Sequence, residues 1–206
     1  MSLVALAAAY QFAGHSLEFA RLLSTKPFLS IAVMLITLPV ASMLHVLVHA
    51  VACKANDRRV RELGFLFLQG VLPTFYADVT DIFMTNRRAR LIVDLAGPMV
   101  EVALGRAAML SAYSCDLGVA QALLFGSGVL LWESALINLY PFSFLELDGY
   151  NILADLLVMP MLRKQALALI PSLPQRLRNP RMIQRAEWIQ IGYLVLCFFS
   201  VFVYLF

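Results

Sequence analysis

Two long runs without any charged side chain constrain what this chain can fold into. Residues 27–53 contain no Asp, Glu, Lys or Arg, and residues 188–206 are also uncharged. A helix needs about 20 mostly apolar residues to cross the hydrocarbon core of a bilayer. Each run therefore predicts a membrane-spanning helix, and the second one ends the sequence.

The composition of the whole chain agrees with a membrane protein. Hydrophobic residues make up 61% and charged residues 14%, and the mean hydropathy is +0.80. Soluble domains average roughly 45–50% apolar and about 25% charged residues. There is no low-complexity tract, repeat or aromatic-spaced basic patch, which excludes fibrous, disordered and nucleic-acid-binding classes. The expected surroundings are a lipid bilayer, and no nucleic acid partner is expected.

Two further segments are candidate spans, although they contain charges. Residues 91–113 and 117–140 are long and largely apolar. Their charged residues are Asp94, Glu101 and Arg106 in the first segment and Glu133 in the second. Residues 1–20 predict either a tilted span or an interfacial helix, and not a cleaved signal peptide, because nothing basic precedes the apolar run. The predicted fold is an all-α polytopic membrane protein with four to five transmembrane helices in a single domain, 1–206.

The basic residues predict the orientation of these spans. Thirteen of the 16 Lys and Arg residues lie in the loops 54–90 and 141–187. The positive-inside rule places both loops in the cytoplasm, so the C-terminus is expected outside. Within the second loop, residues 160–187 contain four prolines and six basic residues. We expect an amphipathic cytoplasmic connector that lies on anionic lipid.

The segment 62–80 combines apolar and aromatic residues with chain breakers. Gly64, Gly70 and Pro73 divide it into short β-prone runs. This pattern favours a small hairpin or re-entrant stretch at the membrane edge. A loop that rests on the membrane surface is the other interpretation.

Two histidines inside the first span are candidates for function, because polar groups within a membrane helix are costly. His45 and His49 are four residues apart and therefore lie on one face of the helix. Their imidazoles can converge on one metal ion, the geometry of a zinc-binding helix. A hydrogen-bonded pair of interhelical histidines is the alternative.

A third possible ligand follows the predicted third span. Asp148 precedes a glycine in the string Leu-Asp-Gly-Tyr, and the string Asn-Leu-Tyr-Pro begins at Asn138. Catalytic zinc sites use three protein ligands and leave one position open for water. His45, His49 and Asp148 would complete such a set. Asp-Gly is also a common turn dipeptide, which is the structural alternative for Asp148.

These strings resemble the site-2 protease family of intramembrane zinc metalloproteases, and more closely its bacterial branch of peptide zinc metalloproteases. The matching stretches occur in the family's order and cover most of residues 44–167. They are LHVLVHAVACK (44–54), RELGFLFLQGVLPTFYADVTDIF (61–83), RRARLIVDLAGPMVE (87–101) and NLYPFSFLELDGYNILADLLVMPMLRKQAL (138–167).

The resemblance implies a role for each matching residue. His45, His49 and Asp148 match the three zinc ligands, with one Zn²⁺ per chain. Asn138 matches a residue that holds the substrate or the developing oxyanion, and the Gly97-Pro98 pair matches a close-packing motif. The 62–80 segment matches a hairpin that guides a substrate into extended form. The family also implies a bacterial cytoplasmic membrane and, as partner, a peptide, a transmembrane segment or a membrane subunit.

The chain departs from the family pattern at two places. Val46 stands where the H-E-x-x-H motif has its glutamate, and valine cannot exchange a proton. General acid–base catalysis contributes on the order of 10²–10⁴-fold in rate, so a severe loss of proteolysis is expected. Asn138 and Asp148 are also ten residues apart, compared with the usual eight.

Other polar residues have weaker claims to a function. Glu101 is the first candidate for a substitute base, since it lies on roughly the same predicted helix face as Asp94. Glu133 and Glu146 are further candidates. We expect structural roles for Asp78, Asp81 and Asp94, and for the three cysteines as small buried residues. His15 is a remote candidate for a fourth ligand.

Two functions therefore remain. One is a catalytically impaired homologue that keeps the metal site and binds a peptide, a membrane segment or a partner protein. The other is an active zinc-dependent intramembrane endopeptidase with a substitute base. A valine introduced deliberately to trap a substrate is a third interpretation of position 46.

Overall fold

A computed structural model describes residues 25–68, 72–114, 118–178 and 183–205, and these residues are mostly helical. The N-terminal segment 1–20 with His15, for which a tilted span or an interfacial helix is predicted, lies outside the described residues, and so does Cys115. The helices are α1 (Pro27–Ala55), α2 (Arg87–Tyr113), α3 (Val119–Leu139), α4 (Asp148–Leu157), α5 (Leu162–Leu169), α6 (Leu173–Arg178) and α7 (Arg185–Leu205). The strands are β1 (Leu63–Leu68) and β2 (Leu72–Ala77), and short 3-10 turns cover Thr80–Met84 and Ile170–Ser172.

Three of the described helices are long and apolar enough to cross a membrane. They are α1, α3 and residues Arg185–Phe202 of α7, and they correspond to the predicted spans 27–53, 117–140 and 188–206. Pro39 lies inside α1 without ending the helix, as is tolerated in membrane helices. The predicted span 91–113 forms most of α2, but the charges of α2 set it apart from these three. The count of four to five spans therefore stays a prediction.

Helix α2 packs between α1 and α3 and so holds the bundle together. Its first turn is capped by Asn86, whose side-chain oxygen accepts a hydrogen bond from the backbone N–H of Ala89 at 3.0 Å. Gly105 of α2 and Gly128 of α3 face each other, and a Cβ on either residue would lie within 2.9 Å of the other residue's carbonyl oxygen. Small residues allow membrane helices to approach this closely.

The hairpin predicted for residues 62–80 is present. Strands β1 and β2 pair antiparallel, from Leu63 opposite Ala77 to Leu68 opposite Leu72. Strand β2 also packs against α1. The backbone N–H of Phe75 donates to the hydroxyl of Ser42 at 3.2 Å, and that hydroxyl lies 3.1 Å from the hydroxyl of Thr74. The hairpin is therefore fixed to α1 one turn before His45.

The segment after α3 forms a second core with the last helix. Tyr150 and Ala154 of α4 and Leu162 and Ala166 of α5 are buried against Tyr193, Leu194 and Cys197 of α7. The hydroxyl of Tyr193 donates to the carbonyl of Ser143 at 2.7 Å. Cys53 and Cys197 are buried free thiols, as predicted. This core fixes the short helix α4 against the spanning helices.

Truncation of Leu162 should destabilise this second core. Leu162 is fully buried in α5, whereas Leu167 of the same helix is 40% exposed. We expect Leu162→Ala to lower the free energy of unfolding by about 2–5 kcal/mol because it leaves a cavity. Leu167→Ala should change it by about 0.5 kcal/mol or less. Denaturant unfolding of both variants in detergent tests this, and equal losses would contradict the packing of α5 on α7.

Candidate metal centre

The two histidines of α1 meet at their Nε2 atoms. His45 and His49 lie one turn apart, and their Nε2 atoms are 2.9 Å from each other. The rings are nearly perpendicular, with an interplanar angle of 69°. The predicted convergence of these side chains on one face of α1 is therefore present.

The hydrogen bond of His49 sets its tautomer. Its Nδ1 lies 2.6 Å from the carbonyl oxygen of Val93 on α2. A carbonyl oxygen can only accept, so Nδ1 carries the proton and the neutral ring presents a lone pair at Nε2. A histidine that ligates a metal is held in this way by a second hydrogen bond.

Asp148 brings a carboxylate to the same point from α4. Its Oδ2 lies 3.1 Å from Nε2 of His45 and 3.5 Å from Nε2 of His49. Asp148 is the first residue of α4. The next residue, Gly149, abuts the backbone of Leu139 and Tyr140 at the end of α3, where a Cβ would collide. The glycine thus allows α4 to start close enough for Asp148 to reach the histidines.

The three ligand atoms fit a zinc ion by spacing and by chemistry. They are separated by 2.9, 3.1 and 3.5 Å, and donor atoms around a tetrahedral zinc ion lie about 3.3 Å apart. Asp148 Oδ2 is buried and forms no aligned hydrogen bond. Three lone-pair atoms this close repel one another unless a cation lies between them. A proton on one Nε2 would also relieve the repulsion, and this is the hydrogen-bonded alternative considered above.

Glu101 stands behind His45. Its Oε1 lies 3.2 Å from Nδ1 of His45, the ring nitrogen opposite the ligand position. The hydroxyl of Ser134 on α3 donates to the same Oε1 at 2.9 Å. Glu101 is 2% exposed. Its Oε1 and Nδ1 of His45 are within ion-pair distance, but they are not aligned for a hydrogen bond. The carboxylate is therefore placed to orient His45.

Gly97 allows α2 to approach the two rings. A Cβ at this position would lie 2.5 Å from Nε2 of His49 and 2.6 Å from Nε2 of His45. Any other side chain would occupy the place of the ligand atoms or push α2 away. The predicted close packing at Gly97-Pro98 thus occurs directly at the metal centre.

A cavity of about 330 Å³ opens beside the three ligands. The hairpin and the turn after it form one wall, through Phe75 to Thr80. Val46 also lines the cavity, so an apolar side chain lies next to the two histidines. At the rim, hydrogen bonds from the hydroxyl and backbone N–H of Thr80 lower the pKa of Asp78.

The polar residues predicted to assist catalysis do not line the cavity. Asn138 donates its side-chain N–H to the carbonyl of Ser134 in its own helix at 3.1 Å and is not among the cavity-lining residues. Glu101, Glu133 and Glu146 do not line the cavity either. Glu146 pairs with Arg163 at 2.5 Å, and Glu133 is exposed on α3.

Two polar residues of the described helices line the cavity without having been predicted to belong to the site. Asn151 lies one turn after Asp148 on α4, and Asp94 lies one turn before Gly97 on α2. Each of them lies three residues from a site residue in the same helix, and this spacing could have predicted their place beside the cavity from the sequence. For Asp94 we expected a local structural role, but it forms no hydrogen bond or ion pair with any described residue.

Comparisons of the chain with protein-family models, with curated proteins and with solved structures return no match.

A methyl group at position 97 should disrupt the metal centre. We expect Gly97→Ala to weaken zinc binding by about tenfold or more, the scale of changes around metal ligands. Gly192→Ala in α7 is the matched control, because a Cβ there would meet no atom within 4 Å. Zinc titration against a chromophoric chelator measures both. Equal affinities for the two variants would contradict the approach of α2 to the ligands.

Neutralising Glu101 should weaken the same site without removing a ligand. Glu101→Gln keeps the size of the side chain but removes the charge next to Nδ1 of His45. We expect zinc affinity to fall about 10–100-fold, as for other partners of ligating histidines. Glu133→Gln on α3 serves as control and should bind zinc like the parent chain. If both variants keep the parent affinity in the same titration, Glu101 does not orient His45.

Proposed function

We propose that this chain is a site-2-protease-like membrane protein that holds one zinc ion on His45, His49 and Asp148 and binds a peptide or membrane segment beside it. In this proposal peptide hydrolysis is lost or strongly reduced. The observation that carries it is the convergence of three ligand atoms from α1 and α4 below a glycine of α2. When bound, zinc would act as a Lewis acid toward a carbonyl oxygen.

The hairpin supports binding of an extended segment. Neighbouring residues of an antiparallel strand alternate in the direction of their backbone N–H and C=O groups. The N–H of Phe75 points away from β1, toward Ser42 of α1, so the backbone groups of Ala77 face the same side. Ala77 also lines the cavity. Beyond the contact of Phe75 with Ser42, a peptide that pairs with the backbone groups of Ala77 would keep its carbonyls out of helical hydrogen bonds and close to the metal centre.

The missing glutamate argues for impaired hydrolysis. A general base must come within hydrogen-bond reach of the proton it removes. Val46 cannot accept a proton, and the carboxylate of Glu101 is directed at Nδ1 of His45. The active endopeptidase remains the alternative, with a base that must come within hydrogen-bond reach of the attacking water.

The proposal includes a membrane topology. Helix α2 is the fourth span, because it packs against both α1 and α3 and its 27 residues are long enough to cross a bilayer. Its buried carboxylates, Asp94 and Glu101, face protein rather than lipid. The loops 54–90 and 141–187 lie in the cytoplasm of a bacterial cell, on the side of the basic residues.

Metal analysis tests the centre. The purified full chain should hold about one zinc ion, and His49→Ala should hold none, because two ligands cannot retain the ion against a chelator. Leu47→Ala, an exposed position between the two histidines, should retain the metal. Absence of zinc from the parent chain would overturn the proposed function and leave the hydrogen-bonded histidine pair.

Restoring the glutamate separates the two functions. We expect Val46→Glu to cleave a model membrane substrate at least about 10²-fold faster than the parent chain, the lower range for general acid–base catalysis. Val46→Gln, similar in size but unable to accept the proton, is the control. Cleavage by the parent chain at the rate of Val46→Glu would favour the active endopeptidase with another base.

A further inference from the structure

A second carboxylate faces the metal cavity without a partner. Asp94 of α2 is 9% exposed and lines the cavity together with His45, His49 and Asp148. Among the described residues no hydrogen bond or ion pair satisfies this side chain. Its carboxylate opens onto the cavity rather than into the closed interior, so its negative charge acts on a cation bound there.

The nearest basic residue on the same helix is already engaged. The Nε of Arg90 lies 2.8 and 3.0 Å from the two carboxylate oxygens of Asp155 on α4. Its Nη1 donates to the carbonyl of Thr85 at 3.0 Å. Arg90 is therefore held at the start of α2 by Asp155 and Thr85, and it forms no ion pair with Asp94 one turn away.

The backbone around Asp94 is fixed by the metal centre itself. The carbonyl of the preceding residue, Val93, accepts the hydrogen bond from His49, and Gly97, one turn later, touches both imidazoles. Asp94 lies between these two contacts on the side of the cavity. Its carboxylate is consequently placed by the same packing that places the ligands.

The charge of a cation bound at the site would explain why Asp94 lies beside the cavity. Two neutral imidazoles and one carboxylate neutralise half of the charge of a divalent cation. The remaining positive charge would be buried within a membrane protein, where an uncompensated charge is strongly unfavourable. Glu101 contributes a second negative charge from the far side of His45, and Asp94 contributes one on the side of the cavity. Asp94 is not among the three ligand atoms that lie within 4.8 Å of one another, so it acts from outside the ligand set.

We propose that the carboxylate of Asp94 is a counter-charge of the metal centre, which stabilises the bound divalent cation electrostatically from the cavity side without being one of its three ligands. This inference rests on the proposed function, because it takes the cation to be bound by His45, His49 and Asp148. Helix α2 would then contribute a negative charge to the site through Asp94, in addition to the space that Gly97 leaves for the two imidazoles.

Zinc affinity of charge variants tests the proposal. The full chain in detergent is stripped of metal and titrated with zinc against a chromophoric chelator. We expect Asp94→Asn to bind zinc about 10–100-fold more weakly, the range for residues around metal ligands. Asp94→Ser is the second neutral variant, in case the first does not fold. Asp94→Glu keeps the charge and should remain within about threefold of the parent chain, since the cavity has room for one methylene group.

Asp81→Asn is the matched control. Asp81 lies just beyond the hairpin, accepts a hydrogen bond from the backbone of Arg59 at 3.0 Å and does not line the cavity. It should keep the parent affinity. If the neutral variants of Asp94 bind zinc as the parent does, or if Asp94→Glu loses as much as Asp94→Asn, the proposal is wrong while the zinc site stands. A parent chain that binds no zinc overturns the proposed function as well.

Discussion

The close approach of α2 to α1 is the constraint on which the rest of the site depends. It requires a glycine at position 97, because any Cβ there would enter the space of the two Nε2 atoms. The same approach brings the carbonyl of Val93 to His49 and the carboxylate of Glu101 to His45. One helix–helix contact therefore sets the tautomer of one histidine and the orientation of the other. Without it, α1 would carry two histidines with no fixed direction.

The electrostatics of the site follow from where these groups are buried. Asp148, Glu101 and Asp94 place three carboxylates around two imidazoles in a region with few basic side chains. Such an arrangement is unfavourable inside a membrane protein unless a cation shares it. The burial of acidic groups and the convergence of lone pairs are independent observations, and both support a cation bound at this site. Val46 differs from these groups, because its side chain is apolar and also lines the cavity.

Much of the fold could be predicted from the sequence because the membrane imposes length and apolarity on its helices. The uncharged run 27–53 and the hairpin at 62–80 both have the expected form. The pair His45 and His49 could be placed on one face from their spacing alone. These are local patterns, and the local backbone preserves them in the folded chain.

The remaining parts of the site depend on contacts between distant segments. Asp94 looked like a local capping or pairing residue, and its place in the cavity follows from the packing of α2 against α1. Glu101 looked like a possible base, whereas its carboxylate is directed at the far side of His45. Asn138 turns back to its own helix, and Asn151 lines the cavity. A helix face can be read from spacing, but the atom that a side chain meets depends on the neighbouring helix.

The ion pair between Arg90 and Asp155 has a consequence for how the cavity can change shape. It connects the start of α2 to the end of α4, about 10 Å along the helix from Asp148. Helix α4 is thereby clamped at both ends, by Gly149 against α3 at one end and by a guanidinium at the other. A bound segment can widen the cavity more easily by displacing the hairpin, which is attached to α1 through the hydroxyl of Ser42, than by moving the helix that carries the aspartate. A segment that enters from the side of β2 would leave the positions of His45, His49 and Asp148 unchanged.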